Sequence, residues 1–244
     1  MPLLEAKHVN KRFGGLKAVN DVSFAVDPGE VTFIVGPNGA GKTTLFNLIT
    51  GVFHPDSGSI YFQDQDITKL TPDRAAQLGI GRTFQIVKPL RNLTILQNVM
   101  LGAFLRTSSP AKAEEEATRV LKFLQMEKFL HLPARGMGLP MLKRLEIARA
   151  LATQPKLILL DEVVAGLPTA EAIKLAMLLK RLPEWGISAI GGIEHVMQVV
   201  MKIADRVIVI DHGTLITEGV PADVVHRPEV IEAYLGPKYK EIGL

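Results

Sequence analysis

The pattern of apolar and polar positions predicts a run of short strands at the start of the chain. They cover Leu4–Val9, Val22–Val26, Val31–Val35 and Ser59–Phe62. Val22–Val26 alternates apolar with polar or small residues, which is typical of an antiparallel strand with one exposed face. Val31–Val35 is mostly apolar and runs into a glycine-rich loop, as a buried parallel strand does. We therefore expect a small antiparallel β region beside the first strand of a mainly parallel sheet.

The middle of the chain has the residue spacing of helices. A Thr-Pro pair at positions 71 and 72 is typical of a helix start, and Gly79 of its end. A Ser-Pro pair at positions 109 and 110 has the same form and predicts a helix over residues 111–130. A third helix is predicted from about Met141 to Thr153, where apolar residues recur at helical spacing. We expect the apolar positions of these helices to form ordinary core.

Alternating strands and helices return near residue 156. The predicted strands are Lys156–Leu160, Ile187–Ile193, Arg206–Ile210 and Thr214–Thr217, and the predicted helices are Thr169–Leu182 and His195–Ile203. This alternation favours an α/β fold with a mainly parallel sheet. The helical block in the middle predicts a single domain, residues 1–244, in which residues 1–85 and 151–244 form the core and residues 86–150 an inserted helical sub-domain.

Composition and charge exclude several classes of protein. Hydrophobic residues make up 47% and charged residues 22% of the 244 positions, which argues against a disordered chain. The formal net charge is only +3 and the basic residues are scattered, so we expect no nucleic-acid partner. The absence of cysteine excludes disulfides, thiol catalysis and cysteine-ligated zinc. No apolar run approaches the ~18 residues that span a bilayer, and no signal-peptide pattern is present, so a cytosolic location is expected.

The glycine-rich segment Gly36–Thr43 carries the most specific chemistry. It matches the pattern G-x-x-x-x-G-K-[ST], follows a predicted strand and precedes a helix-like run over Thr44–Ile49. Such a loop turns backbone N–H groups toward phosphate oxygens, and the helix start adds partial positive charge. We expect Lys42, on the solvent side of the loop, to reach the β- and γ-phosphates and Thr43 to bind Mg²⁺. The residues predicted to bind the nucleotide are Gly36, Asn38, Gly39, Ala40, Gly41, Lys42, Thr43 and Thr44.

A pair of carboxylates at the end of an apolar strand supplies the second half of this chemistry. The run Leu157–Leu160 ends in Asp161 and Glu162. Asp161 is predicted to hold Mg²⁺ through water, and Glu162 to polarise an attacking water. An acidic pair after a strand is common, but its combination with a phosphate loop indicates a nucleoside triphosphatase.

Four further segments resemble the ABC ATPases, over about residues 4 to 235 of the chain. Lys-Arg-Phe-Gly-Gly at 11–15 resembles the adenine-stacking loop, with Phe13 as its ring, and Gly-Arg-Thr-Phe-Gln at 81–85 resembles the Q-loop. The segment Arg144–Leu151 resembles the helix that follows the family signature, and Ile-Glu-His at 193–195 the switch-histidine loop. The resemblance implies that Gln85 contacts Mg²⁺ or water and that His195 contacts the γ-phosphate.

The resemblance implies a P-loop NTPase (RecA-like) core that binds ATP and Mg²⁺ and powers membrane permease subunits. Two copies, or one copy with a paralogous ATPase, would act at the cytoplasmic face of the cell membrane as a peripheral protein. Thr83-Phe84-Gln85, the Ile193–Met197 run and the tail Pro228–Gly236 are most similar to branched-chain amino-acid importers. Lipopolysaccharide-export and urea-uptake ATPases are the nearest alternatives. A soluble ABC protein acting on ribosomes or DNA is disfavoured, since the chain has one domain and no heptad run.

Two segments depart from the family pattern. The five signature positions, usually Leu-Ser-Gly-Gly-Gln, fall on Met137–Met141, where Pro140 has no N–H to donate. After Glu162 the chain has Val163 in place of proline, and Pro168 in place of an acid or amide. Because both departures belong to the half-site that one subunit offers another, we expect secure nucleotide binding and impaired hydrolysis. The alternative is an ATP-binding interaction module that does not hydrolyse ATP.

Overall fold

The computed structural model describes residues 1–84, 88–192 and 197–235 of the chain, without the side chains of residues 197–199 and 235. Its strands are β1 (Leu4–Phe13), β2 (Leu16–Val26), β3 (Val31–Val35), β4 (Ser57–Phe62), β5 (Gln65–Asp66), β6 (Ile80–Arg82), β7 (Leu157–Asp161), β8 (Ser188–Gly192), β9 (Arg206–Asp211) and β10 (Thr214–Gly219). Its α-helices are α1 (Lys42–Ile49), α2 (Pro72–Leu78), α3 (Ile95–Ala103), α4 (Pro110–Phe123), α5 (Leu139–Leu151), α6 (Thr169–Leu179), α7 (Met197–Ile203), α8 (Pro221–Val224) and α9 (Pro228–Leu235).

The start of the chain folds into an antiparallel sheet with the order β2-β1-β4-β5. This confirms the predicted antiparallel region, although β1 and β2 are longer than predicted. The two strands meet at a tight turn in which Gly14 has a φ of 57° and Phe13 pairs with Leu16. The turn places Phe13 at the end of its strand, at the rim of the sheet.

The central sheet has the order β10-β9-β3-β8-β7-β6. Its strands β9, β3, β8, β7 and β6 are parallel, and β10 runs antiparallel at the edge. The predicted α/β fold with a mainly parallel sheet is therefore confirmed. Since the carboxyl ends of parallel strands meet at one edge of a sheet, the ends of β3, β8 and β7 lie side by side.

Two hydrophobic cores cover the two faces of the central sheet. One contains Phe46 and Ile49 of α1 together with apolar residues of the N-terminal sheet. The other contains apolar residues of α3, α4 and α5 together with Phe33 and Leu160 of the sheet. The helices of residues 95–151 thus share their core with the sheet, and the predicted boundary of a helical sub-domain at 86–150 stays a prediction.

Local contacts explain where the helices differ from the sequence-based expectation. Helix α4 ends at Phe123 rather than near residue 130, and Gln125, with a φ of 58°, stands in the left-handed region just after it. Helix α3 was not predicted, although Thr94 and Gln97 form a complete capping box at its start. Among the described residues, no helix is long and apolar enough to cross a membrane.

Candidate functional site

The phosphate loop leaves β3 and closes on α1, and its glycines are required by the backbone. Gly36 has a φ of 156°, and a Cβ there would lie 1.9 Å from the carbonyl oxygen of Ile210. Gly41 has a φ of 103°, and a Cβ there would lie 2.3 Å from the carbonyl oxygen of Ala18. Glycine alone tolerates both the conformation and the close approach of backbone. The loop is therefore shaped by its contacts with two neighbouring segments of the fold.

Lys42 lies inside the phosphate loop. Its Nζ donates hydrogen bonds to the carbonyl oxygens of Gly36 at 2.7 Å and Pro37 at 2.8 Å. The residue is only 7% exposed, so the expectation that it faces solvent was wrong. It is the first residue of α1, whose N-terminus opens toward the loop and favours an anion. The ammonium group is thus held within the loop, close to the N-terminus of α1.

Asp161 ends β7 as a buried carboxylate with a fixed partner. Its Oδ2 accepts a hydrogen bond from Nη2 of Arg82 at 3.1 Å, and each side chain is 9% exposed. Arg82 also contacts Asn47 and Thr50 at the end of α1, so this ion pair joins three elements around the site. The backbone N–H of Asp161 donates to the hydroxyl of Thr83 at 3.0 Å. The strand end is therefore fixed through both backbone and side chain.

One small cavity brings the predicted phosphate and carboxylate residues together. It is lined by Lys42, Thr43, Phe46, Asp161, Glu162 and Gly192. The lining residues include a hydroxyl group, on Thr43, and two carboxylates, on Asp161 and Glu162. Oxygen ligands of this kind are the ones that Mg²⁺ prefers, so the donor set fits a magnesium ion.

Glu162 follows Asp161 with an unusual backbone conformation. Its φ of 49° lies in the left-handed region. Its N–H donates to the carbonyl oxygen of Gly192 at 3.0 Å, and its own carbonyl oxygen accepts from the N–H of Ala165 at 3.1 Å. The Nζ of Lys143, from α5, donates to the same oxygen at 2.8 Å. Three contacts, with Gly192, Ala165 and Lys143, thus fix the backbone that carries this carboxylate.

Phe13 lies at the rim of the N-terminal sheet, apart from the carboxylates. The residue is 41% exposed, and its ring meets the ring of Phe53 edge-on, with 5.2 Å between the centroids. The Nζ of Lys11 lies 5.7 Å from the Phe13 centroid and 2.8 Å from Oδ1 of Asp56. This hydrogen bond lowers the pKa of the Asp56 carboxyl. Phe13 therefore offers an exposed aromatic surface that a second ring and a cation hold in place.

A larger cavity of about 800 Å³ opens between α2, β6, α3 and α5. Its wall includes the exposed apolar side chains of Val52, Phe84 and Leu101. Charged groups at the cavity are Arg82, Lys88, Glu146, Arg149 and Asp161. Burial raises the pKa of the Glu146 carboxyl, although Arg149, the Phe84 N–H and Lys143 act in the opposite direction. Because Thr43 and Asp161 line both cavities, the larger cavity adjoins the smaller one at the carboxyl end of the sheet.

The outcome for the predicted site residues differs from group to group. Asn38 and Gly39 are exposed on the phosphate loop, Ala40 is buried beneath it, and Thr44 is half-buried in the first turn of α1. Gln85 and His195 lie outside the described residues. Sequence reasoning missed Arg82 and Lys143, whose partners are 79 and 19 positions away along the chain. No local spacing could have indicated these contacts.

Comparisons with known proteins identify the family of the chain. A family model described as ABC transporter matches residues 19–165. A second model, described as Branched-chain amino acid ATP-binding cassette transporter, matches residues 214–236. The first match contains the phosphate loop and the strand-end carboxylates, and the second covers β10, α8 and α9.

Relatives match nearly the whole chain. The probable branched-chain amino acid transport ATP-binding protein LivG of Archaeoglobus fulgidus is 35% identical, covering 99% of this chain and 98% of the relative. The high-affinity branched-chain amino acid transport ATP-binding protein LivG of Escherichia coli K12 is 38% identical, covering 96% and 98%.

Solved structures of other proteins also match the fold over most of the chain. A crystal structure of the ADP conformation of an ATP-binding cassette of an ABC transporter has a TM-score of 0.88 and 34% identity, covering 97% of this chain and 99% of the other. A dimeric cassette in a post-hydrolysis state, bound to ADP and Pi, has a TM-score of 0.80 and 27% identity, covering 89% and 98%. With its phosphate loop, its strand-end carboxylates and these matches, the chain belongs to the ABC transporter family as an ATP-binding subunit of the ABC ATPase type.

Proposed function

We propose that this chain hydrolyses ATP to power the uptake of branched-chain amino acids through separate membrane subunits. The observation that carries the chemistry is the convergence of Lys42, Thr43, Asp161 and Glu162 on one cavity. The choice of solute rests on the names of the relatives and on the match of residues 214–236 to a branched-chain amino acid cassette model.

The residues around the cavity divide the work of binding. Phe13 stacks on the adenine ring, and the phosphate loop receives the phosphates on its backbone N–H groups. Lys42 exchanges its two carbonyl partners for phosphate oxygens, which a charged acceptor favours. The residues that would hold Mg²⁺ are Thr43, Asp161 and Gln85, and the ion would neutralise charge on the phosphate oxygens.

Hydrolysis uses the carboxylate that stands beside the phosphate site. Glu162 orients a water molecule toward the γ-phosphorus and accepts its proton as the new P–O bond forms and the bond to ADP breaks. Asp161 does not take this role, because its side chain is paired with Arg82. His195 contacts the γ-phosphate and stabilises the charge that develops there.

The proposed partners are the membrane permease subunits and a second ATPase subunit. The 800 Å³ cavity, with exposed Val52, Phe84 and Leu101 and a charged rim, receives a cytoplasmic segment of the permease. A second copy of the chain, or a paralogous ATPase, faces the phosphate loop to complete the site. The assembly is peripheral, at the cytoplasmic face of the cell membrane.

The test is transport by the chain reconstituted with its membrane subunits in vesicles. We expect ATP-dependent uptake of labelled leucine, isoleucine and valine, and no uptake of urea. Glu162→Gln should keep nucleotide binding and lose hydrolysis by about 10²-fold or more, as the removal of a general base does. Uptake of urea, or export of a lipid, would assign the chain to one of the related systems.

A second candidate is an ATP-binding interaction module that does not turn ATP over. It is favoured by one observation, that Pro140 occupies the first turn of α5 and has no N–H there. This candidate predicts that the complete complex binds ATP but releases no phosphate, with or without transported solute. Phosphate release by the complex, abolished in Glu162→Gln, would exclude it.

A further inference from the structure

The backbone of Glu162 needs support to keep its conformation. A φ of 49° is seldom adopted by residues with a side chain, and it persists only where surrounding contacts enforce it. The conformation decides the direction in which the carboxylate leaves the main chain. Its N–H is fixed by Gly192, on the neighbouring strand β8, at 3.0 Å. Its carbonyl oxygen can accept a hydrogen bond from a further element.

Lys143, on α5, donates a hydrogen bond to the carbonyl oxygen of Glu162. Its Nζ lies 2.8 Å from the Glu162 oxygen, and the residue is only 5% exposed. Burying an amine is unfavourable unless it is hydrogen-bonded, so the contact is one that the fold retains against a desolvation cost. Burial lowers the pKa of the Lys143 ammonium, while the carboxylates of Glu162, Asp161 and Glu146 act in the opposite direction.

The same face of α5 also contacts the loop that follows Glu162. A Cβ built on Gly166 would lie 3.2 Å from Cδ2 of Leu139, so the Leu139 side chain rests against that glycine. Leu139 and Lys143 are four residues apart and therefore share one helix face. One turn beyond Lys143, Oε1 of Glu146 accepts the N–H of Phe84 at 3.3 Å, at the large cavity. Helix α5 thus contacts both the catalytic loop and the cavity.

We propose that Lys143 is a positioning residue that ties α5 to the backbone of Glu162 and so sets the direction of the catalytic carboxylate. This inference rests on the proposed role of Glu162 as general base. A shift of α5, caused by binding at the large cavity or by contacts at its first turn, would move the Glu162 backbone through this hydrogen bond.

The test is a double-mutant cycle of Lys143→Met and Glu162→Gln in the complete transporter complex. We expect Lys143→Met to lower kcat about 10- to 100-fold with ATP affinity unchanged within about twofold, because small misplacements of a catalytic group have effects of this order. In the Glu162→Gln background the same substitution should leave the residual rate unchanged, since Lys143 acts only through Glu162. Lys143→Arg, which keeps a donor, should restore part of the rate. Lys122→Met, at an exposed lysine on α4, is the matched control.

The arms of the cycle separate the inference from the proposed function. An unchanged kcat in Lys143→Met, or an equal further loss in the Glu162→Gln background, would overturn the positioning role. A normal rate in Glu162→Gln alone would overturn the role of Glu162 instead. If Lys143→Met does not fold, Lys143→Gln repeats the cycle, since its amide is too short to reach the Glu162 oxygen, and the same criteria apply.

Discussion

The charged side chains of the site already have hydrogen-bond or ion-pair partners within the chain. Asp161 is held by Arg82, and Lys42 by two carbonyl oxygens of its own loop. The motifs predicted which of these residues would meet, because the phosphate loop and the acidic pair each follow a strand. They did not predict Arg82 or Lys143, since a long-range partner leaves no trace in local spacing. The burial of Lys42 was missed although its partners, Gly36 and Pro37, lie only six and five positions away along the chain.

The buried pair of Arg82 and Asp161 leads to a prediction about stability. Arg82→Met leaves the carboxylate buried without its partner, so the free energy of unfolding should fall by about 3–5 kcal/mol. Urea unfolding at neutral pH measures it. The matched control is Lys174→Met, which breaks an ion pair whose lysine is 65% exposed and should cost less than about 1 kcal/mol. Equal losses in the two variants would show that Asp161 is solvated in the absence of nucleotide.

Glu146 leads to a prediction about pH. Its folded-state pKa is raised by burial above the ordinary value of 4.5, with Arg149, the Phe84 N–H and Lys143 opposing the shift. The stabilisation it contributes is therefore complete below its unfolded pKa and is lost as the pH rises through the raised value. The free energy of unfolding of the unaltered chain minus that of Glu146→Gln should fall from acidic to neutral pH. Glu171→Gln should show the opposite slope, because hydrogen bonding to Lys174 lowers the pKa of Glu171.

At the scale of elements, local signals fixed some boundaries and long-range contacts fixed the others. The bounds of β3 matched the predicted apolar run, and α2 lies between its predicted Thr71 cap and Gly79 stop. Helix α3 was not predicted, although its capping box of Thr94 and Gln97 is a local signal. The alternation of strands and helices predicted that the central sheet is mainly parallel. The order of the strands across the sheet was not predicted, because it depends on pairings between distant segments.

The two threonine caps provide a matched test of element stability. The Thr94 hydroxyl accepts a hydrogen bond from the N–H of Gln97 at the start of α3, and the Gln97 side-chain oxygen Oε1 accepts one from the Thr94 N–H. Thr94→Ala should therefore lower the free energy of unfolding by about 1 kcal/mol. Thr71 stands at the start of α2 without a side-chain cap bond, so Thr71→Ala should cost less. Urea unfolding of both variants makes the comparison, and equal costs would mean that the capping box does not stabilise α3.

At the scale of the whole molecule, α5 is the element that joins the functional surfaces. Its first turn carries the altered signature segment, its second holds the Glu162 carbonyl, and its third begins at the wall of the large cavity. The departures at Pro140 and Pro168 lie far apart along the chain. The contact of Leu139 with Gly166 shows that α5 and the loop before Pro168 meet within one chain. Changes in this region are therefore expected to affect the facing half-site and Glu162 together.

The last prediction concerns the exchange Gly138→Pro with Pro140→Gly. Gly138 has a φ of −70°, which suits proline, and position 140 lies in the first helical turn, where glycine returns an N–H donor. A missing donor of this kind costs about 10²-fold in rate. We therefore expect the exchanged chain to fold, to dimerise more readily with Mg·ATP and to release phosphate up to about 10²-fold faster. Light scattering and phosphate release, measured beside the unaltered chain, decide the matter. If the unaltered chain already dimerises and turns over as fast, the facing subunit's donor comes from a residue other than the one at position 140.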